Sequence, residues 1–186
     1  MCIRDSDRVK YDLFYRSGFE HKFLLQSVAT LGQKRLFLSA SYEGKQFWKL
    51  KEKTNLAIQL RAAIGSDDGS PFAPFVLDSN FNLRGVGNRV DRATAQIVLN
   101  IELRQTLWTY KNIAIQGVAF SDTGSWRNPG QDFSTLFEVS SFRTFVGVGG
   151  RVILTKVFDA VLRVDFGLDV FDGTTNGLVI GFGQFF

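Results

Sequence analysis

Apolar and polar residues alternate along most of the chain with a period of two, the spacing at which successive side chains face opposite sides of a β-strand. Ala160, Leu162, Val164, Phe166, Leu168 and Val170 interleave with Val161, Arg163, Asp165, Gly167 and Asp169. Ala95, Ile97, Leu99, Ile101 and Leu103 alternate with Gln96, Val98, Asn100, Glu102 and Arg104. Leu56, Ile58, Leu60, Ala62 and Ile64 do the same with Ala57, Gln59, Arg61 and Ala63. The final segment sets Leu178, Ile180, Phe182 and Phe186 against Val179, Gly181, Gly183 and Phe185. The pattern predicts about nine strands, over 8–16, 20–30, 35–48, 53–65, 94–106, 110–126, 142–155, 157–170 and 176–186. Many reach the ~10 residues with which a tilted strand crosses a membrane, whereas strands of soluble domains average nearer ~5–6.

The links between these strands are unequal. The long ones, 66–93 and 127–141, follow the fourth and sixth strands; the short ones, 17–19, 49–52, 107–109 and 156, follow odd-numbered strands. In an antiparallel up-and-down meander both long loops then share one rim, the asymmetry of an outer-membrane barrel. Phe47, Trp48, Trp108, Tyr110, Phe158, Phe185 and Phe186 fall at the short-turn end, where an interfacial aromatic girdle would sit. A soluble sandwich or ligand-binding barrel also alternates, with its apolar face turned inward, and periodicity does not distinguish the two. The closing strand, which finishes in Phe, favours the membrane, because soluble sheets rarely leave such an edge uncovered.

Composition narrows the chemistry. Among 186 residues there are 19 Phe and 18 Gly but one His, one Cys and one Met, which removes most metal and nucleophile chemistry. The net charge of +4 is too slight and too scattered to imply nucleic acid. The longest uncharged stretch, 173–186, falls short of the ~18 residues of a membrane-spanning helix. Residues 1–7 lack the apolar core and cleavage site of a signal peptide and are expected to be an unstructured or non-native start, ahead of which the true N-terminal part is missing. His21 lies in a strand-like segment, unsuited to a Ser-His-Asp arrangement. Asp67-Asp68-Gly69 and Asp169 with Asp172-Gly173 lack the ligand spacing of a calcium loop and read as turns. Gly147-Val148-Gly149-Gly150 fits no dinucleotide fingerprint and reads as a thinned inner strand face. No phosphate loop, zinc spacing or nucleophile elbow occurs, so neither an enzyme nor a cofactor is expected.

Leu83-Arg84-Gly85-Val86, within the longest loop, and Phe120-Ser121-Asp122-Thr123-Gly124, followed by Trp126, carry a family resemblance. Leu99 to Arg104 between them, Gly147 to Arg151, Arg163-Val164-Asp165-Phe166-Gly167 and the Gly181–Phe186 ending follow in the same order. Together they resemble the C-terminal barrel of the bacterial surface antigen family, the BamA/TamA-type outer-membrane assembly and transport proteins. The resemblance covers about residues 53–186. It departs at Val86, where the family's Arg-Gly motif continues with an aromatic residue. It implies the C-terminal part of a sixteen-stranded transmembrane barrel preceded by POTRA domains, located in the bacterial outer membrane. Its partners would be lipid, unfolded outer-membrane or secreted proteins, and accessory assembly subunits. A two-partner secretion pore, the membrane anchor of an enzyme fusion and a passive pore are the alternatives.

The resemblance also implies a site. The loop 66–93 would fold into the barrel and tether Arg84 to Asp122, with Gly85 allowing close approach, Glu102 on the neighbouring strand, Phe120 packing on the stem of Arg84, and Gly124 completing the motif. Substrate strands would engage the seam formed by the last strand, where Gly177, Gly181 and Gly183 weaken packing or permit curvature and Phe186 ends the chain.

Overall fold

The computed structural model describes residues 1–11, 15–30, 35–66, 73–78, 82–86, 91–157, 160–171 and 173–186. Its regular structure is β apart from two short 3-10 turns, Phe133–Phe137 and Val139–Ser141. The strands are β1 (Cys2–Asp7), β2 (Lys10–Tyr11), β3 (Arg16–Thr30), β4 (Arg35–Lys51), β5 (Thr54–Gly65), β6 (Phe75–Leu77), β7 (Asp91–Ala93), β8 (Ala95–Tyr110), β9 (Ile113–Arg127), β10 (Arg143–Leu154), β11 (Val161–Asp169) and β12 (Asn176–Phe182). One antiparallel sheet runs β1-β3-β4-β5-β8-β9-β10-β11-β12, with β2 also on β3 and a separate β6–β7 ribbon. Each main strand therefore pairs with its neighbours in sequence, as the meander predicted, and β1 and β12 are the two edges.

The predicted strands from 20 onward correspond to β3, β4, β5, β8, β9, β10, β11 and β12. The start of the chain does not follow expectation. Residues 2–7, part of the start expected to be unstructured or non-native, form β1 in register with β3 from Cys2 opposite Leu25 to Asp7 opposite Glu20. Of the predicted strand 8–16, residues 8–11 instead continue that edge with an interruption, residues 12–14 lie outside the described residues, and Arg16 already belongs to β3. Arg8 N–H donates to the Phe19 carbonyl at 2.9 Å, and β2 resumes the ladder at Lys10 and Tyr11. The predicted loop 66–93 is also not wholly irregular, since it contains the β6–β7 ribbon. The link predicted at 156 alone spans 155–160.

The alternation is expressed with the polar side covered and the apolar side open. On β8, Val98, Asn100, Glu102, Arg104 and Thr106 are buried while Leu99, Leu103 and Leu107 are exposed. On β11, Val161, Arg163, Asp165 and Asp169 are buried, and Leu162, Val164, Phe166 and Leu168 are exposed. The polar face is the concave one. Beyond β12 the chain crosses it, placing Phe185 and Phe186 in an apolar cluster with Phe47 of β4 and Ala57 of β5. Three residues of the expected girdle, Phe47, Phe185 and Phe186, are thus buried inside, while Trp48, Trp108 and Tyr110 are exposed as expected. Phe158 lies outside the described residues.

Register brings Ala57, Glu102, Phe120, Gly147, Gly167 and Gly177 into one row across six strands. Three glycines side by side on β10, β11 and β12 leave a bare strip of backbone on the concave face. Phe120 leans over Gly147, where an added Cβ would collide with its ring. The strip is the floor of the site.

Candidate functional site

Residues 82–86 descend from the long-loop rim onto this floor. Leu83 enters a buried cluster with Leu77, Ala93, Val98 and Phe145, and Val86 packs against its edge. Val86, where the resemblance expects an aromatic residue, therefore still contributes to the apolar anchor. Gly124 makes room, since a Cβ there would stand 3.1 Å from both methyl carbons of Leu83. Asn82 fixes the approach: its carbonyl accepts from Asn100 Nδ2 at 2.7 Å, its Oδ1 from Arg61 Nη1 at 3.0 Å, and its Nδ2 donates to the Val76 carbonyl at 2.9 Å.

Gly85 has φ +103°, in the region that favours glycine. The requirement is also steric. A Cβ at Gly85 would lie 2.8 Å from the Phe145 ring and 3.0 Å from the Gly167 carbonyl carbon, and one at Gly167 would lie 2.8 Å from the Arg84 carbonyl oxygen. Loop backbone rests directly on strand backbone.

This seat places the Arg84 side chain, 0% exposed, among carboxylates. Nε donates to Asp122 Oδ2 at 2.8 Å and Nη2 to Asp122 Oδ1 at 2.9 Å, the two-pronged geometry that suits a planar guanidinium. The Arg84 backbone N–H donates to Asp122 Oδ2 as well, at 2.9 Å, so the carboxylate holds both main chain and side chain. Nη1 donates to Glu102 Oε1. The guanidinium carbon stands 3.7 Å from the Phe120 ring centroid and 3.9 Å from that of Phe185. Phe120 therefore meets the charged head of Arg84, where packing on the stem was expected, and the Phe185 ring comes almost as close.

The carboxylates are shared with two further arginines. Glu102 Oε2 accepts from Arg104 Nε at 2.7 Å, and Glu102 Oε1 from Arg151 Nη2 at 2.9 Å. Arg151 Nη1 also donates to Asp165 Oδ1 at 2.6 Å. Three arginines and three carboxylates, each 0–2% exposed, thus form one cluster. Arg163 stands at its edge, 3.6 Å from Asp165. Burial alone would lower the Arg84 pKa, but hydrogen bonding to Asp122 and the charges of Glu102, Asp122 and Asp165 outweigh it and hold the pKa above the ordinary arginine value. The guanidinium is permanently charged. Much of the Coulomb gain offsets desolvation, so the assembled cluster is worth little net, while deleting one member leaves a buried charge unpaired.

The structure therefore brings Arg84, Gly85, Glu102, Phe120, Asp122 and Gly124 together. The predicted seam residues divide. Gly177 lies in β12 on the concave side, opposite Gly167. Gly181 faces Arg163, whose Nε would be 2.8 Å from an added Cβ. Gly183, with φ +81°, turns the chain out of the strand, and Phe186 is buried instead of sharing the outward face of Leu178, Ile180 and Phe182. Asn82, Arg104, Arg151, Asp165, Gly167 and Phe185 were not singled out for the site. Arg104, Arg151 and Asp165 do carry a signal, being charged residues at concave parity on strands near Glu102 and Asp122. His21 is exposed, with Nδ1 2.8 Å from the Tyr42 hydroxyl. Asp67-Asp68-Gly69 and Asp172 lie outside the described residues. Among the described residues no group of three or more His, Cys, Asp or Glu could hold a metal ion.

Compared with protein-family models and with curated protein sequences, the chain has no significant match.

Proposed function

We propose that these strands belong to an outer-membrane β-barrel that inserts or exports other β-rich proteins, with the loop carrying Arg84 as its internal tether. The observation that carries the reading is the docked Arg84: a long-loop arginine, wholly buried, paired with Asp122 and Glu102 on adjacent strands. An ordinary surface turn has no use for such a seat. It is the arrangement that the resemblance to the bacterial surface antigen family implies.

The membrane placement has separate support. Leu, Ile, Val and Phe face outward on β8–β12 while charge is turned inward, the reverse of a soluble sandwich. Exposed Trp48, Trp108 and Tyr110 sit by the short turns; exposed Phe133, Phe137 and Phe171 sit at the opposite rim. In hydrocarbon the free groups of the β1 and β12 edges need partners, so the proposal requires further strands to complete the barrel.

The test is made in the full-length protein in its native host. With the wild-type copy depleted, Arg84→Ala is expected to lower the amount of folded outer-membrane proteins or of exported passenger several-fold. Heat-modifiable gel migration of the variant itself is expected to show a folded barrel. A folded variant with undiminished assembly and export would refute the reading.

A further inference from the structure

Residues 183–186 make a second set of contacts with the tether. Gly183 N–H still donates to the Val161 carbonyl at 2.7 Å, the final bond holding the chain to β11. The chain then turns inward and presents two rings. Phe185 lies on the Arg84 guanidinium at 3.9 Å and on that of Arg163 at 4.9 Å. Phe186 packs beside Phe47, ring centroids 6.4 Å apart, and its main-chain oxygen accepts from Arg104 Nη2 at 2.9 Å. Arg104 in turn binds the Glu102 carboxylate that receives Arg84.

The segment and the loop tip thus meet twice: directly, ring on guanidinium, and indirectly through Arg104 and Glu102. Neither set of contacts is complete alone. Without Phe185, Arg84 keeps Phe120 alone as aromatic cover; without Arg84, Phe185 keeps the more distant Arg163 alone as its cation. Desolvated contacts of this kind are the stronger ones.

We propose that residues 183–186 form a latch on the loop, with Phe185 as a positioning residue for Arg84, so that undocking the loop frees the end of β12 and freeing that end loosens the loop. Because the coupling is a free energy between two sites, it acts equally in both directions. Its consequence rests on the assembly reading: the state of the loop would set whether the edge of β12 is held inward or free to pair with an incoming strand.

Hydrogen exchange by mass spectrometry, on the full-length protein in lipid nanodiscs, reads both ends at once. Peptides covering 82–86 report the Arg84 amide, which donates to Asp122, and peptides covering 183–186 report the Gly183 amide. Phe185→Leu keeps an apolar side chain but removes the ring, and is expected to speed exchange about tenfold in both peptides. Arg84→Lys keeps the charge but loses the planar stack, and is expected to speed the 183–186 peptide by a similar factor. Phe185→Tyr, which keeps a ring face, is expected to restore slow exchange in both. If Phe185→Leu accelerates only 183–186, or Arg84→Lys only 82–86, the latch is refuted. Exchange reports the coupling whether or not the protein assembles others, and outer-membrane protein levels report assembly alone, so the two failures are separable.

Discussion

Two stretches of the same concave face carry the same kinds of ion pair and treat them differently. On β3–β4, Lys45 meets Glu20 at 3.3 Å and Glu43 at 3.4 Å, with side chains 18–32% exposed. On β8–β11, Arg84 meets Asp122 at 2.8 Å with both side chains at 0%. Strand pairing and alternation are alike in the two stretches. The difference is coverage. Residues 82–86 and 183–186 lie over β8–β11 and exclude water, so the charges there must satisfy one another in fixed geometry. The lysine pairs remain open to solvent and adjustable. In this protein a loop and a tail, not the sheet, convert a polar wall into a specific cluster.

The comparison breaks most sharply at Asp122. Asp122→Ala leaves the Arg84 guanidinium and backbone N–H without their principal acceptor and is expected to destabilise the docked state by about 3–5 kcal/mol. Denaturant unfolding in detergent, followed by heat-modifiable migration, measures it; a loss no larger than that at Lys45 would abolish the distinction between the regions. Gly167→Val comes next. Its side chain would occupy the seat of Gly85, an overpacking expected to cost about 1–3 kcal/mol. Limited proteolysis is expected to cut near 82–86 sooner than in the wild type while circular dichroism keeps the β signal. Undisturbed protection would show that the backbone contact does not hold the loop. The smallest effect belongs to Lys45→Ala, expected within about 0–1 kcal/mol and reduced further at high salt, which screens exposed pairs far more than buried ones. A salt-insensitive loss above that range would place Lys45 in the class of Arg84.

Much of the fold was legible because alternation survives local noise. β5, β8, β11 and β12 follow their apolar–polar pattern, and the placement of the long links on one rim followed from counting strands. β1 was missed for a physical reason. Arg4, Asp5, Ser6 and Asp7 offer no apolar face, and the strand is held by its backbone ladder to β3, which composition does not reveal. The aromatic residues misled for another. Phe47, Phe185 and Phe186 have the residue type of a girdle, but Phe47 points inward and the turn at Gly183 carries the other two across the concave face. Type alone carries no direction.

The site was legible in part. Arg84, Gly85, Glu102, Phe120, Asp122 and Gly124 came from motif resemblance and parity, and the structure brings them together. Gly167 and Phe185 were not legible as members, because each meets Arg84 or its neighbour through contacts between segments far apart in the chain. Arg151 lies within one of the resembling segments, yet register sets it level with Gln116 and Thr106, and it meets Glu102 only through the reach of its side chain across two strands.

By itself, the sequence determined that the chain is all-β, where most strands lie, and which residues share a face, because side-chain direction in a strand depends only on parity. Tertiary structure decided which face is covered and which charges meet. A period of two is the same seen from either side of the sheet, and burial of Arg84 depends on where residues 82–86 and 183–186 come to rest, a matter of strand register and long-range packing that no local pattern contains.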